Sequence, residues 1–157
     1  MTALKAALFI FFVPGTVLVV IPIGGILPTD PARIEPGMLR WLAIPFWVAG
    51  LAVLCWCAVQ FVRQGHGTPA PVDPPKELVA AGLYRYVRNP MYVGVLLTAA
   101  GHPLWFGSVR LAGYVLLLWL VFQIFVVLYE EPHLLKTFGA SYREYCQSVP
   151  RWIPNHL

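Results

Sequence analysis

The sequence predicts an all-α integral membrane bundle, with about four transmembrane helices and an interfacial C-terminal helix. Three observations carry this. Of the 157 residues 59% are hydrophobic and only 11% charged, with mean hydropathy +0.69, against about 25% charge in ordinary soluble domains. Charge is absent over four long stretches, between Lys5 and Asp30, from Trp41 to Val62, from Met91 to Val109 and from Leu111 to Tyr129. No ten-residue alternating segments of the barrel type are present, so helices are left to satisfy the backbone in lipid.

About 20 helical residues at 1.5 Å each cross the roughly 30 Å of hydrocarbon. The spans are therefore placed at residues 6–27, 41–62, 91–109 and 111–129 of a single domain covering 1–157. The first is longer than a secretory h-region and lacks a clear small-residue cleavage pattern, which predicts a retained helix. Pro14 and Pro22 inside it predict kinks, and Gly101-His102-Pro103 predicts a kink or early break in the third span. Gly94 and Gly101 in that span suit a close helix contact.

Four crossings put both termini and the 64–81 loop on one face. That face carries Lys5, Arg63, Lys76, Arg85, Arg88, Lys136, Arg143 and Arg151, against Arg33, Arg40 and Arg110 on the other. Eight cations against three place it in the cytoplasm, in a bacterial inner membrane or the endoplasmic reticulum. Juxtamembrane cations beside anionic headgroups account for the net charge of +4, so nucleic acid is not an expected partner. Cys55 and Cys57 read as small apolar residues within the second span. Cys146 and the four scattered histidines show no metal-binding spacing.

The polar residues gather in two stretches, 76–92 and 130–145. Pro69, Pro71, Pro74 and Pro75 stiffen the loop that leads to the first. Gly82 permits a turn, and Tyr84, Tyr86, Arg88, Asn89 and Tyr92 crowd the start of the third span. This crowd also suits an aromatic belt with headgroup anchors, and Asn89-Pro90 suits an N-cap followed by proline at the first helical position. Glu130-Glu131 follows nineteen uncharged residues, where paired carboxylates are costly unless they face water, protein or a cation. Alternatively the pair and Pro132 open a new amphipathic helix whose dipole stabilises the acids. Leu134, Leu135, Phe138 and Tyr142 recur at helical spacing, which predicts a tail lying along the membrane surface.

The short turn between spans three and four brings the two stretches together. Aromatic faces attract a cation such as a sulfonium, carboxylates bind ribose hydroxyls or an ammonium, and Arg88 can neutralise an anion. No glycine-rich dinucleotide fingerprint is present, so the pocket is expected on the membrane helices themselves.

Residues 78–92, ending Arg88-Asn89-Pro90-Met91-Tyr92, together with Glu130-Glu131, Leu134 and the run Phe138-Gly139-Ala140-Ser141-Tyr142-Arg143-Glu144-Tyr145, closely resemble the isoprenylcysteine carboxyl methyltransferase and phospholipid methyltransferase superfamily. The resemblance covers roughly residues 68–154 and rests on two motifs in order. It implies an S-adenosyl-L-methionine-dependent membrane methyltransferase, the cofactor entering from the cytosol and a lipophilic or lipid-modified acceptor from the bilayer. It carries the cofactor contacts onto Lys76, Glu77, Leu78, Val79, Tyr84, Asn89, Pro90, Met91, Tyr92 and Glu130. The flanking Arg88 and Glu131 are the candidate catalytic residues. Arg88 is too basic to act as a base and is assigned to positioning or charge stabilisation.

Three positions depart from the prenylcysteine enzymes of that family. Lys76 and Asn89 stand where histidines are common, and Val126 stands where an arginine receives the substrate carboxylate. The last argues against a prenylcysteine carboxylate as acceptor. Residues 138–150 also resemble the C-terminal end of membrane sterol reductases, which use NADPH. A non-catalytic assembly protein is the remaining alternative.

Overall fold

The computed structural model describes residues 14–31, 33–64, 78 and 80–154. The described part is helical apart from its connections. Helix α1 (Thr16–Ile26) runs into a 3-10 turn at Leu27–Thr29. A second 3-10 segment, Gly37–Leu42, leads into α2 (Ala43–Gln64). The turn Gly82–Arg85 precedes α3 (Pro90–Phe106), and α4 (Val109–Phe125) follows. A π turn at Val126–Glu130 joins α4 to α5 (Glu131–Phe138), and α6 (Ala140–Ser148) comes after a reversal at Gly139.

Two helical stretches are long and apolar enough to cross a membrane, Gly37–Gln60 and Val109–Phe138, and most of each is not buried inside the chain. That exposure distinguishes them from the core helices of a soluble domain. Leu116, Leu117, Leu120, Val121, Ile124 and Leu128 all face outward. The described part of the first apolar helix, Thr16–Thr29, is shorter. Helix α3 has 17 residues, about 26 Å of helix.

The main packing is α2 against α3, and it depends on small residues. A Cβ on Gly50 would lie 2.2 Å from Thr98 Oγ1, and one on Gly94 would lie 3.0 Å from the Gly50 carbonyl oxygen. Gly101 similarly admits the Trp47 ring. The close contact expected of Gly94 and Gly101 is thus made within the chain. Leu18, Leu54, Val95, Ala99 and Leu118 form the apolar core, and Tyr114 Oη donates to the Val17 carbonyl at 2.8 Å, tying α4 to α1.

One local expectation, an early break in the third span, is corrected. Helix α3 runs through Gly101-His102-Pro103 without a break. Proline at 103 removes the N–H that would bond to Ala99, and the buried His102 ring lies with Nδ1 3.2 Å from that carbonyl and 3.0 Å from Thr98 O. Since a carbonyl only accepts, Nδ1 carries the proton. Pro22 is likewise absorbed, here by π winding, within α1. Glu130-Glu131 does open an α segment, α5, with Glu130 at its N-cap, Glu131 in its first turn and Pro132 next, but the helical rod is not interrupted there. The rod from α4 continues to Phe138, and the break falls at Gly139 instead, with φ 57° and ψ −121°. Pro132 explains the π turn, because its ring and missing N–H disrupt α bonding one turn earlier. The Glu131 N–H bonds to the Val126 carbonyl five residues back.

The end of the bundle opposite the two motifs is closed by its own polar lock. Ile34 N donates to Gly107 O at 2.9 Å. Ser108 donates to the buried Asp30, which also pairs with Arg110 at 3.7 Å. Arg40 lies over the Trp105 ring, 5.5 Å from its centroid, beside Trp41 and Trp47. Aromatic rings with cations at a helix end are the usual furniture of a bilayer interface.

Candidate active site at the charged end of the bundle

The site is built on the entry to α3. Gly82 adopts φ 61°, and its Cα faces the Trp56 indole and the Gln60 amide so closely that a Cβ would sit 3.1 and 3.0 Å from their nitrogens. The 3-10 turn that follows buries Tyr84 against Cys57 of α2 and leaves Tyr86 exposed. Burial, reinforced by the neighbouring Cys57, Glu130 and Tyr145, holds the Tyr84 phenol well above its ordinary range, so it stays neutral. Tyr145 Oη donates to the Tyr84 carbonyl at 2.6 Å and docks α6 on this turn.

Arg88 and Asn89 are fixed by the C-terminal tail. The Arg88 N–H donates to Pro150 O at 2.8 Å, and the Asn89 side chain donates to Arg151 O at 3.2 Å. Asn89 does stand at the N-cap of α3 with Pro90 after it, yet its side chain makes no capping bond. Pro90 is fully buried, and Met91 packs beneath Tyr84 and Cys57. Tyr92 donates to Glu130 Oε2 at 2.8 Å and packs its ring on Phe122, centroids 4.7 Å apart, with Trp152 on another side at 6.4 Å.

Glu131 is the hub of the charged network. Arg151 approaches as a fork, Nε at 2.7 Å from Oε1 and Nη2 at 2.9 Å from Oε2, while Arg88 Nη1 reaches Oε1 at 3.0 Å. The bidentate contact raises the Arg151 pKa further. Arg88 Nη1 also points at Cys146 Sγ, 2.9 Å away. Burial pushes the phenols of Tyr142 and Tyr145 up, keeping both protonated. Among the described residues two buried polar atoms on this side of the molecule have no hydrogen-bond partner, the donor Arg88 Nε and the acceptor Gln60 Oε1. An unpaired buried polar group costs about 1–3 kcal/mol, so each calls for a partner that the described residues do not supply.

The structure brings together Tyr84, Arg88, Asn89, Pro90, Met91, Tyr92, Glu130 and Glu131 as one connected cluster. Leu78 is half-buried just ahead of the turn, while Lys76, Glu77 and Val79 lie outside the described residues. Sequence reasoning missed Gln60, Gln123, Arg151 and Trp152. Their signals were present: Gln60 and Gln123 are amides in otherwise apolar spans, and Arg151-Trp152 is a cation and an indole set between Pro150 and Pro154. Trp152 Nε1 donates to Gln123 Oε1 at 2.6 Å. Among the described residues no cluster of three or more histidine, cysteine or acidic side chains is suited to a metal.

Apolar outer faces with charged groups converging at one end define a membrane-type helical protein. The profile of the phospholipid methyltransferase family matches residues 38–141. The chain belongs to that family. It is 40% identical over 78 residues to a protein-S-isoprenylcysteine O-methyltransferase of Schizosaccharomyces pombe, covering 49% of this chain and 33% of that protein. It is 32% identical over 79 residues to protein-S-isoprenylcysteine O-methyltransferase B of Arabidopsis thaliana, covering 50% and 40%. An uncharacterised protein of Haemophilus influenzae is 36% identical over 63 residues, 40% of this chain and all of that protein. The match thus spans between a third and two fifths of the two methyltransferases. No solved structure matches the chain at comparable significance.

Proposed function

We propose that the chain is an S-adenosyl-L-methionine-dependent methyltransferase that spans the membrane four times, with the charged end in the cytoplasm, and methylates a lipophilic acceptor. Family membership and the O-methyltransferases among its relatives support the reaction class. The observation that carries the reading at this site is a pair of buried atoms without partners among the described residues, Arg88 Nε on the side chain that meets Glu131 and Gln60 Oε1 on the side chain that faces Gly82. A donor and an acceptor both left open suit a ligand with a carboxylate and with amino or hydroxyl hydrogens. The bound cofactor would supply an electrophilic methyl on a sulfonium.

The side chains have simple tasks. The rings of Tyr92 and Trp152 offer π faces to a cation. Glu130 accepts from Tyr92 through one oxygen and keeps the other for a hydroxyl or ammonium. Arg88 neutralises an anionic group through Nε, while Glu131 holds Arg88 in place and is itself held by Arg151. Glu131 therefore acts through Arg88. Displacement at a methyl group disperses charge, so alignment of donor and acceptor can supply several kcal/mol, up to about 7–11. Val126, aligned with the carboxylate-binding arginine of prenylcysteine enzymes, is wholly buried at the start of the π turn. That favours an acceptor other than a prenylcysteine carboxylate.

The test is transfer of a radiolabelled methyl from S-adenosylmethionine into organic-extractable material by membranes overproducing the chain. Incorporation that Glu130→Gln abolishes supports the reading, and its stability to mild alkali separates an amine or thiol product from a methyl ester. Incorporation equal to that of membranes lacking the chain would overturn it.

A further inference from the structure

We propose that the C-terminal tail, residues 149–153, is part of the donor site, with Arg151 and Trp152 as positioning residues for the two carboxylates. This deepens the methyltransferase reading and rests on it. The family profile ends at residue 141, so the tail lies beyond the matched stretch.

The tail is held in register by two consecutive bonds to two consecutive motif residues. Arg88 N donates to Pro150 O, and Asn89 Nδ2 donates to Arg151 O. Buried Val149 anchors its start, its N–H bonded to Tyr145 O at 2.9 Å. From this fixed backbone Arg151 reaches both oxygens of Glu131. Trp152 is pinned by Gln123 and lies against Tyr92, which in turn donates to Glu130. Each carboxylate is thus set by one tail side chain, Glu131 directly and Glu130 through Tyr92.

Glu131 meets Arg88 at Nη1, leaving the Arg88 Nε buried and without a partner among the described residues. The fork of Arg151 imposes that geometry, because it occupies Oε1 and Oε2 together. Without Arg151 the carboxylate is free to turn and take Arg88 side-on through Nε and Nη, the favoured bidentate arrangement. The N–H that faces the ligand would then be consumed inside the protein.

The experiment is calorimetric binding of S-adenosylhomocysteine to the detergent-purified full chain, with Tm measured on each variant. Arg151→Gln is expected to weaken binding about ten-fold or more, and Arg151→Lys to weaken it less, since an ammonium keeps the charge although it cannot hold both oxygens as a fork does. Adding Glu131→Gln to Arg151→Gln removes the carboxylate that captures Arg88 and restores affinity toward that of Glu131→Gln alone. Arg143→Gln, an equal charge loss on the exposed side of α6, leaves binding unchanged. Wild-type affinity in Arg151→Gln, or a double variant weaker than either single one, would overturn the tail's role. If the wild-type chain binds no S-adenosylhomocysteine, the methyltransferase reading itself fails and the proposal falls with it.

Discussion

Glu130 takes one hydrogen bond from Tyr92, whereas adjacent Glu131 commits both oxygens to two guanidinium groups. The two acids therefore answer differently to substitution. Glu130→Gln keeps the size and the bond to Tyr92 and removes the charge, so donor binding is expected to fall at least ten-fold with little change in Tm, read by calorimetry and differential scanning. Glu131→Gln leaves two partly buried cations, Arg88 and Arg151, without their counter-ion, and a Tm drop clearly larger than that of Glu130→Gln is the expected result, since breaking a buried pair costs about 3–5 kcal/mol and a part-exposed one less. Equal Tm values for the two variants would contradict the division of roles. At this scale the sequence showed the acids, Arg88 and the tyrosines because charge beside an apolar span is conspicuous. Arg151 gave a weaker signal, a cation beside an indole between two prolines, which looks like any surface cation until the backbone bonds of Arg88 and Asn89 bring it in.

The elements are shaped by proline and glycine. Pro132 sits inside a continuous rod, and the π turn before it sets the direction in which Glu130 points. Restoring α bonding with Pro132→Ala would rotate Glu130 relative to Glu131 and Tyr92. The expected outcome is unchanged or higher Tm with weaker donor binding; loss of Tm in step with binding would show that the π turn has no part in the site. Between α2 and α3, Gly50→Val places a side chain where Thr98 Oγ1 already lies. Overpacking of this kind costs about 1–3 kcal/mol, so Tm should fall while Gly113→Ala, with open space around it, leaves it unchanged. Hydrophobic length alone located these helices but not their ends. It showed Glu130-Glu131-Pro132 as a helix start but not that α5 continues α4 through a π turn, and it allowed a kink or early break at Pro103 because the repair by the His102 ring is invisible in one dimension.

The whole molecule has two unlike ends: the Arg88, Glu131 and Arg151 network on one side and the Asp30, Ser108 and Arg110 lock on the other. The lysine and arginine count predicts that the first end faces the cytoplasm. Single cysteines placed at exposed Met38 and Glu144, in a chain freed of its own three, should react with a membrane-impermeant maleimide from opposite sides, Glu144→Cys from the cytosol. Reaction of both from one side would refute the proposed orientation. Whether this charged end holds a methyl donor is decided by calorimetric titration of the purified chain with S-adenosylmethionine, with NADPH as the comparison and Glu130→Gln as the control. Saturable binding of S-adenosylmethionine that Glu130→Gln weakens at least ten-fold, with no binding of NADPH, is the expected result; binding of NADPH alone, or of neither, would overturn the methyltransferase reading.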